Sequence, residues 1–427
     1  MSKEYIFVKQ SLNLNGIANL SGAKNAVLPI MAALILTNGK SELENVPESA
    51  DVIQMINLLQ DLGAKVLFDS EKKILNVDTS TINSFELKPE VMNKMRASIL
   101  VMGSLLARFG QVKAALPGGC SIGKRPVDFH LQSFKKMRVE IQETGHFLIA
   151  SLNFDLANKL DHKIVLEYPS VGATENVAML AAGLPDSQTI IVNAALEPEV
   201  LDFLDVLRKM GAQVDILPPA TIRIRGIKNL KPLKHKVIPD RLEAGSILLA
   251  AAITGGQVEL PDARADHMDL FLEKLKEMGH EIIIGENDIG ISFKAVQNPR
   301  AVSFKTGPYP GFPTDLQAPM MAVQCLAEGE SLIEETVFEN RFLHVKELQK
   351  MGADLQVIGS KVSVTGVKEF IGSNVLASDI RACAALALAG LAAKGSTEIR
   401  GVFHWRRGYD KLEDKLALLG GKIKITS

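Results

Sequence analysis

One of the three cysteines lies where a thiol could do chemistry. Cys120 follows Gly118 and Gly119 in the segment LPGGCSIGKRPVDFH, and Lys124 and Arg125 come shortly after it. Positive neighbours favour the thiolate and lower the pKa of a thiol, while glycines allow unusual backbone angles. The pattern predicts a loop that can move and that carries an acidic, reactive thiol. The alternative is a loop cysteine without a role.

Several cationic or polar side chains lie at the starts of helices rich in small residues. Lys24 and Asn25 open one such helix in SGAKNAVLP, Arg96 opens another in MRAS, and Arg381 opens a third in SDIRA. Helix N-termini attract anions. A single surface cation is usually only solvated. Because the pattern recurs, and Arg407 in HWRRGYD adds another cation, we expect these residues to converge on a cleft for anionic ligands between two lobes.

A carboxylate lies at the start of another predicted helix. Asp315 follows the glycine- and proline-rich stretch KTGPYPGFPT and precedes LQAP. Thr314 or Asp315 can cap the helix, or Asp315 can act as a general base towards a cationic cleft. The local sequence alone favours the cap.

The composition excludes several classes of protein. The chain has 427 residues, so two domains or one large domain are expected. The formal net charge of −1 argues against a general binder of nucleic acids or membrane surfaces. Three cysteines provide no disulfide framework, and Cys325 and Cys383 lie in apolar segments typical of a buried core. With no signal-peptide pattern and no apolar run of membrane length, a cytoplasmic protein is expected.

Common cofactor and metal motifs are also missing from the sequence. The eight histidines are scattered without a Cys/His cluster, so no metal site is predicted. There is no phosphate-binding P-loop, no dinucleotide fingerprint and no G-x-S-x-G nucleophile elbow. We therefore expect no cofactor.

An internal repeat organises the chain. A short amphipathic helix, a hydrophobic-Gly step and an alternating strand recur six times, as in VLRKMGAQVDI, at spacings of 68 to 75 residues. The anchor positions, where a helix ends in a left-handed turn, are Gly63, Arg138, Gly211, Gly279, Gly352 and Gly420. Since arginine replaces glycine at position 138, that corner is expected to be built differently.

A second pattern precedes each repeat and predicts the architecture. It is a helix of small and apolar residues, such as EAGSILLAAAIT, that is apolar nearly all round and should be buried. Six α/β units with buried helices enclosed by outer sheets are predicted, three in each of two lobes. One lobe is expected at 22–229 and carries Cys120; the other combines 1–21 with 230–427 and carries Asp315 and Arg407. YIFVKQSLNLNG is expected to form a strand that pairs with the C-terminal half.

Seven motifs, taken together and in order, carry a resemblance. SGAKNA, PGGCSIGKRPVDFHL, SVGATEN, GFPTDLQAP, TVFENRFLHV, SDIRA and RRGYDKLEDKL resemble the UDP-N-acetylglucosamine 1-carboxyvinyltransferase family, enolpyruvyl transferases that begin peptidoglycan synthesis. The family fold is an inside-out α/β barrel of six units in two lobes. The implied reaction moves the enolpyruvyl group of phosphoenolpyruvate to the 3′-hydroxyl of UDP-N-acetylglucosamine, through a tetrahedral intermediate, with release of phosphate.

The resemblance also implies roles for single residues. Cys120 would be the acid in the lid, Asp315 the base at the sugar hydroxyl, and Lys24, Arg125 and Arg407 the groups that hold phosphoenolpyruvate. It further implies that the antibiotic fosfomycin alkylates Cys120. The remaining residues expected to bind the substrates or to orient the site are Asn25, Arg96, Pro126, Val127, Asp128, Phe129, Ser170, Val171, Gly172, Val337, Glu339, Arg341, Asp379 and Arg381.

Two residues depart from the family pattern, and two alternatives stay open. Arg406 stands where the family usually has an acid, which adds positive charge beside Arg407, and Trp405 is atypical there. The sister enzyme enolpyruvylshikimate-phosphate synthase has the same fold and chemistry but lacks the cysteine motif. A UDP-sugar-binding protein without activity is the third possibility, which the full set of Lys24, Cys120, Asp315 and Arg407 disfavours.

Overall fold

The computed structural model describes residues 4–88, 99–115, 128–145, 147–157 and 160–426. These described residues form two compact units. The central unit comprises those between 22 and 238, and the terminal unit combines 4–21 with 239–426. The second boundary therefore follows residue 238, not residue 229 as the sequence suggested. The reason is that strand Lys234–Lys236 pairs in parallel with strand Lys40–Glu44 and so belongs to the central unit.

Six four-stranded sheets in the described residues share one topology. Within each sheet one pair of strands is parallel and the other two pairs are antiparallel. In four of the six sheets the two parallel strands are consecutive in the chain and a buried helix forms the crossover between them. In the other two sheets one strand of the parallel pair comes from a distant part of the chain. Because every sheet has this order, the six predicted repeats are six copies of one β-α-β-α-β-β unit.

The strands of the central unit form three of the sheets. Their bounds are β3 (Lys40–Glu44), β4 (Lys65–Asp69), β5 (Ile74–Asp78), β6 (Glu86–Leu87), β7 (Gln111–Ala115), β8 (Val139–Thr144), β9 (Phe147–Leu152), β10 (His162–Val165), β11 (Gln188–Val192), β12 (Gln213–Leu217), β13 (Thr221–Arg225) and β14 (Lys234–Lys236).

The strands of the terminal unit form the other three sheets. Their bounds are β1 (Tyr5–Lys9), β2 (Asn15–Ile17), β15 (Gln257–Arg264), β16 (Glu281–Ile284), β17 (Ile289–Lys294), β18 (Phe304–Lys305), β19 (Glu330–Glu334), β20 (Asp354–Ile358), β21 (Lys361–Thr365), β22 (Asn374–Leu376), β23 (Ser396–Arg400) and β24 (Lys422–Thr426).

The helices of the central unit alternate between buried and partly exposed ones. They are α1 (Lys24–Leu34), α2 (Ala50–Asp61), α3 (Val101–Phe109), α4 (Asp128–Lys136), α5 (Phe154–Ala157), α6 (Val171–Ala182) and α7 (Pro198–Met210). The small-residue helices α1, α3 and α6 are buried over most of their length, as predicted. They lie in a hydrophobic core formed by central-unit residues alone.

The helices of the terminal unit repeat the arrangement. They are α8 (Arg241–Thr254), α9 (Asp269–Glu277), α10 (Gln317–Gln324), α11 (Val345–Lys350), α12 (Ile380–Ala392), α13 (Val402–Gly408) and α14 (Leu412–Leu418). The buried helices α8, α10 and α12 pack against one another. They lie in a second core, which is formed by terminal-unit residues alone.

Strands from distant parts of the chain complete the terminal repeats. β1 lies between β23 and β24, so the predicted return of the first strand to the C-terminal half is confirmed. β2 pairs in parallel with β15. The first repeat of the central unit is completed in the same way by β14, which comes last in that unit.

All six helix-to-strand corners turn through a residue with positive φ. The five glycines have φ between 97° and 114°, and Arg138 has φ 68°. The expectation that the Arg138 corner would be built differently is therefore wrong. A φ near 60° lies in the small left-handed region that residues with a side chain can still adopt, whereas values near 100° favour glycine.

Candidate functional site

The predicted site residues divide among three groups. Those that lie outside the described residues are Arg96, Cys120, Arg125, Pro126 and Val127. Those in the central unit are Lys24, Asn25, Asp128, Phe129, Ser170, Val171 and Gly172. Those in the terminal unit are Val337, Glu339, Arg341, Asp315, Asp379, Arg381 and Arg407.

Lys24 begins α1 in the central unit and has an acidic partner. Its ammonium lies 3.3 Å from a carboxylate oxygen of Asp51, and the two side chains are 12% and 6% exposed. Asp51 is held in the first turn of α2, where Ser49 caps the helix by accepting from the Val52 amide. An ammonium has three donors, so Lys24 can keep this partner and still bind an anion. Asn25, the next residue of α1, is partly buried.

The start of α6 lies against α4 in the central unit. Ser170 caps α6 by accepting from the Ala173 amide. A Cβ atom on Gly172 would lie 3.1 Å from the ring of His130, so this approach leaves little room for a larger residue. Asn176 donates to His130 Nδ1 at 3.0 Å and to the Ile99 carbonyl at 2.8 Å. These bonds fix the predicted residues Ser170 to Gly172, and they place Phe129, partly buried on α4, in the same neighbourhood.

Asp315 lies between two arginines in the terminal unit. One carboxylate oxygen accepts from Arg341 Nη2 at 2.6 Å and the other from Arg381 Nη2 at 2.8 Å. Both arginine side chains are nearly buried, at 3% and 5% exposure, whereas that of Asp315 is 26% exposed. We call Arg341, Asp315 and Arg381 the Asp315 clamp. The N-cap positions here are Pro313 and Leu316, so the interpretation of Asp315 as a helix cap is wrong.

Charge balance stabilises the ionised forms of Arg381 and Asp379. Burial acts to lower the pKa of Arg381, but the Asp315 carboxylate outweighs it, and the pKa lies above its ordinary value. Burial likewise acts to raise the pKa of Asp379, but the positive charge of Arg341 and bonds from the α12 N-terminus hold it below its ordinary value. Asp379 caps α12 and so places Arg381 in the first turn of that helix.

The loop that carries Val337 is tied to the same region by a buried acid. One oxygen of Glu335 accepts from the Val337 amide at 2.8 Å and from the Phe338 amide at 3.1 Å. Its other oxygen accepts from the Thr314 hydroxyl at 2.9 Å. Glu335 therefore fixes the Val337 loop to the residue beside Asp315. The predicted Glu339 lies on the exposed part of this loop.

Arg406, which adds positive charge beside Arg407, has an acidic partner in the structure. Its guanidinium pairs with both carboxylate oxygens of Glu4, at 2.9 and 3.0 Å, so its charge is balanced within the terminal unit. Trp405 is buried and donates from Nε1 to Glu413 at 2.6 Å. Arg407 is partly exposed, with its guanidinium 5.6 Å from the centroid of the Phe403 ring.

Sequence reasoning missed three residues at these sites, namely Asp51, Glu335 and Tyr409. Asp51 and Glu335 reach their partners only through the fold, and no local pattern signals them. Tyr409 lies inside the motif RRGYDKLEDKL, but nothing in that motif shows that its hydroxyl contacts Arg381. Cys325 and Cys383, by contrast, are fully buried as predicted. Burial raises the pKa of Cys325 to about 12, so it is a poor nucleophile.

The described residues contain no group of three or more His, Cys, Asp or Glu side chains that could hold a metal ion. Over the same part of the chain, no helix is long and apolar enough to cross a membrane.

The sequence matches a family model and close relatives over nearly its full length. The family model, EPSP synthase (3-phosphoshikimate 1-carboxyvinyltransferase), matches residues 8–416. A relative from Caldanaerobacter subterraneus subsp. tengcongensis, UDP-N-acetylglucosamine 1-carboxyvinyltransferase 1, is 47% identical over 99% of each chain. UDP-N-acetylglucosamine 1-carboxyvinyltransferase from Geobacter metallireducens is 44% identical over 98% of each chain.

Solved structures share the fold. The enolpyruvyl transferase NikO from Streptomyces tendae superposes with a TM-score of 0.87 at 23% identity over 99% of each chain. EPSP synthase from Acinetobacter baumannii superposes with a TM-score of 0.76 at 16% identity over the whole of each chain. Such low identities bear on the fold alone, and the fold is the one predicted from the sequence.

Proposed function

We propose that this chain, which belongs to the EPSP synthase family of 1-carboxyvinyltransferases, transfers the enolpyruvyl group of phosphoenolpyruvate to the 3′-hydroxyl of UDP-N-acetylglucosamine and releases phosphate. The observation that carries the proposal is the 47% identity, over 99% of the chain, to a protein named for that reaction. This transfer is the first committed step of peptidoglycan synthesis. A cytoplasmic location is part of the proposal.

The reaction defines what the site must supply. The sugar oxygen bonds to C2 of phosphoenolpyruvate while a proton is added to C3, which gives a tetrahedral phospholactoyl intermediate. Loss of a proton from the new methyl group and departure of phosphate restore the double bond. The site therefore needs a base for the hydroxyl, an acid for carbon, and cations that hold a carboxylate beside a phosphate.

Asp315 is the proposed base. One oxygen of Asp315 accepts from Arg341 and the other from Arg381, so both arginines hold the carboxylate. The partial exposure of Asp315 supports access by a substrate hydroxyl. Two buried arginines fix the carboxylate orientation, which a proton acceptor needs before the hydroxyl arrives. Val337 and Glu339, on the loop fixed by Glu335, are proposed to contact the nucleotide sugar, and Asp379 to orient Arg381 as the cap of α12.

Lys24 is the proposed contact for phosphoenolpyruvate in the central unit, with Arg407 supplying a second cation from the terminal unit. Lys24 is supported by its environment, because its ammonium is largely shielded from water and its carboxylate partner Asp51 lies 3.3 Å away. Shielding strengthens the attraction to an anion. Asn25 is proposed to contact the intermediate. Asp128, Phe129 and the stretch Ser170–Gly172 are proposed to line the uridine and sugar.

Cys120 is the proposed acid, on the basis of the resemblance alone. Arg96, Arg125, Pro126 and Val127 are proposed as substrate contacts on the same basis. A direct test of the acid is the mass of the protein after exposure to fosfomycin. One adduct that maps to the peptide with Cys120 supports the role, and an adduct on Cys325 or Cys383 contradicts it.

A phosphate-release assay with different acceptors tests the function. Phosphoenolpyruvate is supplied with UDP-N-acetylglucosamine, with shikimate 3-phosphate, or without an acceptor. Phosphate released only with UDP-N-acetylglucosamine supports the proposal. Release only with shikimate 3-phosphate would assign the chain to the other activity of the family. Tight binding of UDP-N-acetylglucosamine without any release would favour a protein that only binds the sugar nucleotide.

A further inference from the structure

Tyr409 holds the side of Arg381 that does not contact Asp315. Arg381 Nη1 lies 3.2 Å from the Tyr409 hydroxyl, while Nη2 of the same guanidinium donates to Asp315. The guanidinium carbon also lies 5.5 Å from the centroid of the Tyr409 ring. Both residues are 4% exposed. One buried guanidinium therefore links a phenol to the proposed base.

The hydrogen bonds beyond Tyr409 have only one possible direction. The Ser246 hydroxyl lies 2.7 Å from the Leu242 carbonyl, and because a carbonyl can only accept, Ser246 donates its proton there. Ser246 must then accept from the Tyr409 hydroxyl, 3.0 Å away. Tyr409 in turn accepts from Arg381, which has only donors. Burial raises the pKa of Tyr409, and Arg381 offsets this only in part, so the phenol keeps the proton that it donates.

Packing alone would not require this hydroxyl. The Tyr409 ring packs against Trp405, with centroids 5.2 Å apart, and a phenylalanine ring could make the same contact. The other arginine of the clamp is supported differently. Arg341 lies over the Phe338 ring, at 5.3 Å, and its Nη2 also donates to the Thr314 backbone carbonyl at 3.4 Å. Arg381 is therefore the arginine of the Asp315 clamp whose position is fixed by the hydroxyl groups of Tyr409 and Ser246.

We propose that Tyr409, supported by Ser246, is a positioning residue for the reaction, because its hydroxyl fixes Arg381 and thereby the orientation of the Asp315 carboxylate. The inference rests on the proposed function, in which Asp315 accepts the proton of the sugar hydroxyl. Without the phenolic oxygen, one N–H of a buried guanidinium loses its acceptor. Arg381 then turns towards other acceptors, and Asp315 follows it.

The variant Tyr409→Phe removes this oxygen and keeps the ring. We expect kcat for phosphate release with UDP-N-acetylglucosamine to fall roughly tenfold, with KM for the nucleotide sugar within about twofold of wild type. Ser246→Ala should have a smaller effect, since the hydroxyl that contacts Arg381 remains. Tyr309→Phe is the matched control, because Arg241 lies 5.9 Å from its ring and its hydroxyl donates to a backbone carbonyl. It should keep the wild-type kcat, and an equal loss there would contradict the inference.

A double-mutant cycle decides whether Tyr409 acts through Asp315. In an Asp315→Asn background, Tyr409→Phe should cause no further loss of kcat. The same tenfold loss in that background would overturn the inference, as would wild-type kcat in the single variant. Urea unfolding of the same four proteins measures the coupling between Tyr409 and Asp315 in the free energy of unfolding, which does not depend on turnover. Additive effects of the two substitutions on that free energy would also overturn the inference. If wild type releases no phosphate with either acceptor, the proposed function fails, whereas the coupling in stability still tests the link between Tyr409 and Asp315.

Discussion

The two units hold their key charges in different ways. In the central unit, Lys24 has one carboxylate partner at 3.3 Å. In the terminal unit, Asp315 has two arginine partners at 2.6 and 2.8 Å, and each arginine is almost completely buried. A single long contact leaves the ammonium able to turn towards an arriving anion. Two short bonds from rigid, planar groups leave a carboxylate in one orientation.

The difference between Lys24 and Asp315 agrees with the roles proposed for them, which are substrate binding and proton transfer. A group that binds a charged substrate must exchange partners when that substrate arrives, so a weakly held cation suits it. A group that accepts a proton must be correctly oriented before the substrate arrives, because a small misplacement of that group lowers the reaction rate. We therefore expect substitutions in the Asp315 clamp to lower kcat, and substitutions at Lys24 to raise KM for phosphoenolpyruvate.

Removing the base should have the largest effect. Asp315→Asn keeps the shape of the side chain but cannot take a proton, so kcat should fall by roughly a hundredfold or more. Titration calorimetry should show UDP-N-acetylglucosamine binding within a few-fold of wild type. Asp266→Asn, at an aspartate paired with Arg264 at 2.7 Å, is the control and should keep its activity. A kcat of Asp315→Asn close to wild type would show that the clamp does not hold the base.

Changes at Lys24 should act on substrate affinity. Lys24→Met removes the charge at similar length, so KM for phosphoenolpyruvate should rise by roughly tenfold or more. Asp51→Asn keeps the cation and removes its partner, so it should change KM by only about threefold. Steady-state kinetics with varied phosphoenolpyruvate measure both. If Asp51→Asn is as harmful as Lys24→Met, the partner does more than hold the lysine, and the contrast with the clamp weakens.

A buried acid without arginine partners provides the opposite case to Asp315. Glu175 on α6 is buried, and its Oε1 has no hydrogen-bond partner in the described structure. Burial, followed by the negative charges of Glu197 and Glu199, raises its pKa well above the ordinary value. The folded protein therefore keeps a proton that the unfolded chain loses. Stability should fall as the pH rises from the ordinary carboxyl range towards this raised pKa.

Glu175→Gln cannot ionise and should escape this loss. Its advantage over wild type in the free energy of unfolding should increase with pH and reach about 1 kcal/mol or more at pH 8. Urea unfolding at pH 5 and pH 8 measures it. The matched change at an exposed acid, Glu71→Gln, should show no such trend. An advantage that is equal at both pH values would mean that Glu175 is ionised in the folded protein.

The smallest effect is expected at an exposed charge pair near the C-terminus. Arg406 and Glu4 form a paired contact, but their side chains are 49% and 35% exposed. Such pairs contribute little, so Arg406→Ala should change the free energy of unfolding by less than about 1 kcal/mol. The kcat for phosphate release should stay at the wild-type value. A large loss of activity would mean that the charge of Arg406, beside Arg407, reaches the substrates.

The sequence predicted the repeated architecture well because repetition is visible in one dimension. Six copies of two patterns indicated the buried helices, the outer strands and the return of β1. The corner at Arg138 was misjudged, since the pattern cannot show that arginine tolerates a left-handed turn at φ 68°. Asp315 was interpreted locally as a cap because its partners, Arg341 and Arg381, are far away in sequence. Lys24 is predicted as a site residue but its partner Asp51 is not, because Asp51 lies 27 residues further along the chain.

The position of β1 has a consequence for synthesis on the ribosome. The central unit is complete once β14 has emerged, because every strand of its three sheets then exists. The terminal unit contains the first strand made, yet that strand lies between β23 and β24, which are made last. β1 must therefore wait, unpaired, until β23 and β24 have been made, whereas β2 can pair as soon as β15 exists. We expect the nascent protein to acquire protease resistance in two steps, with the central unit first and the terminal unit only once β24 has emerged.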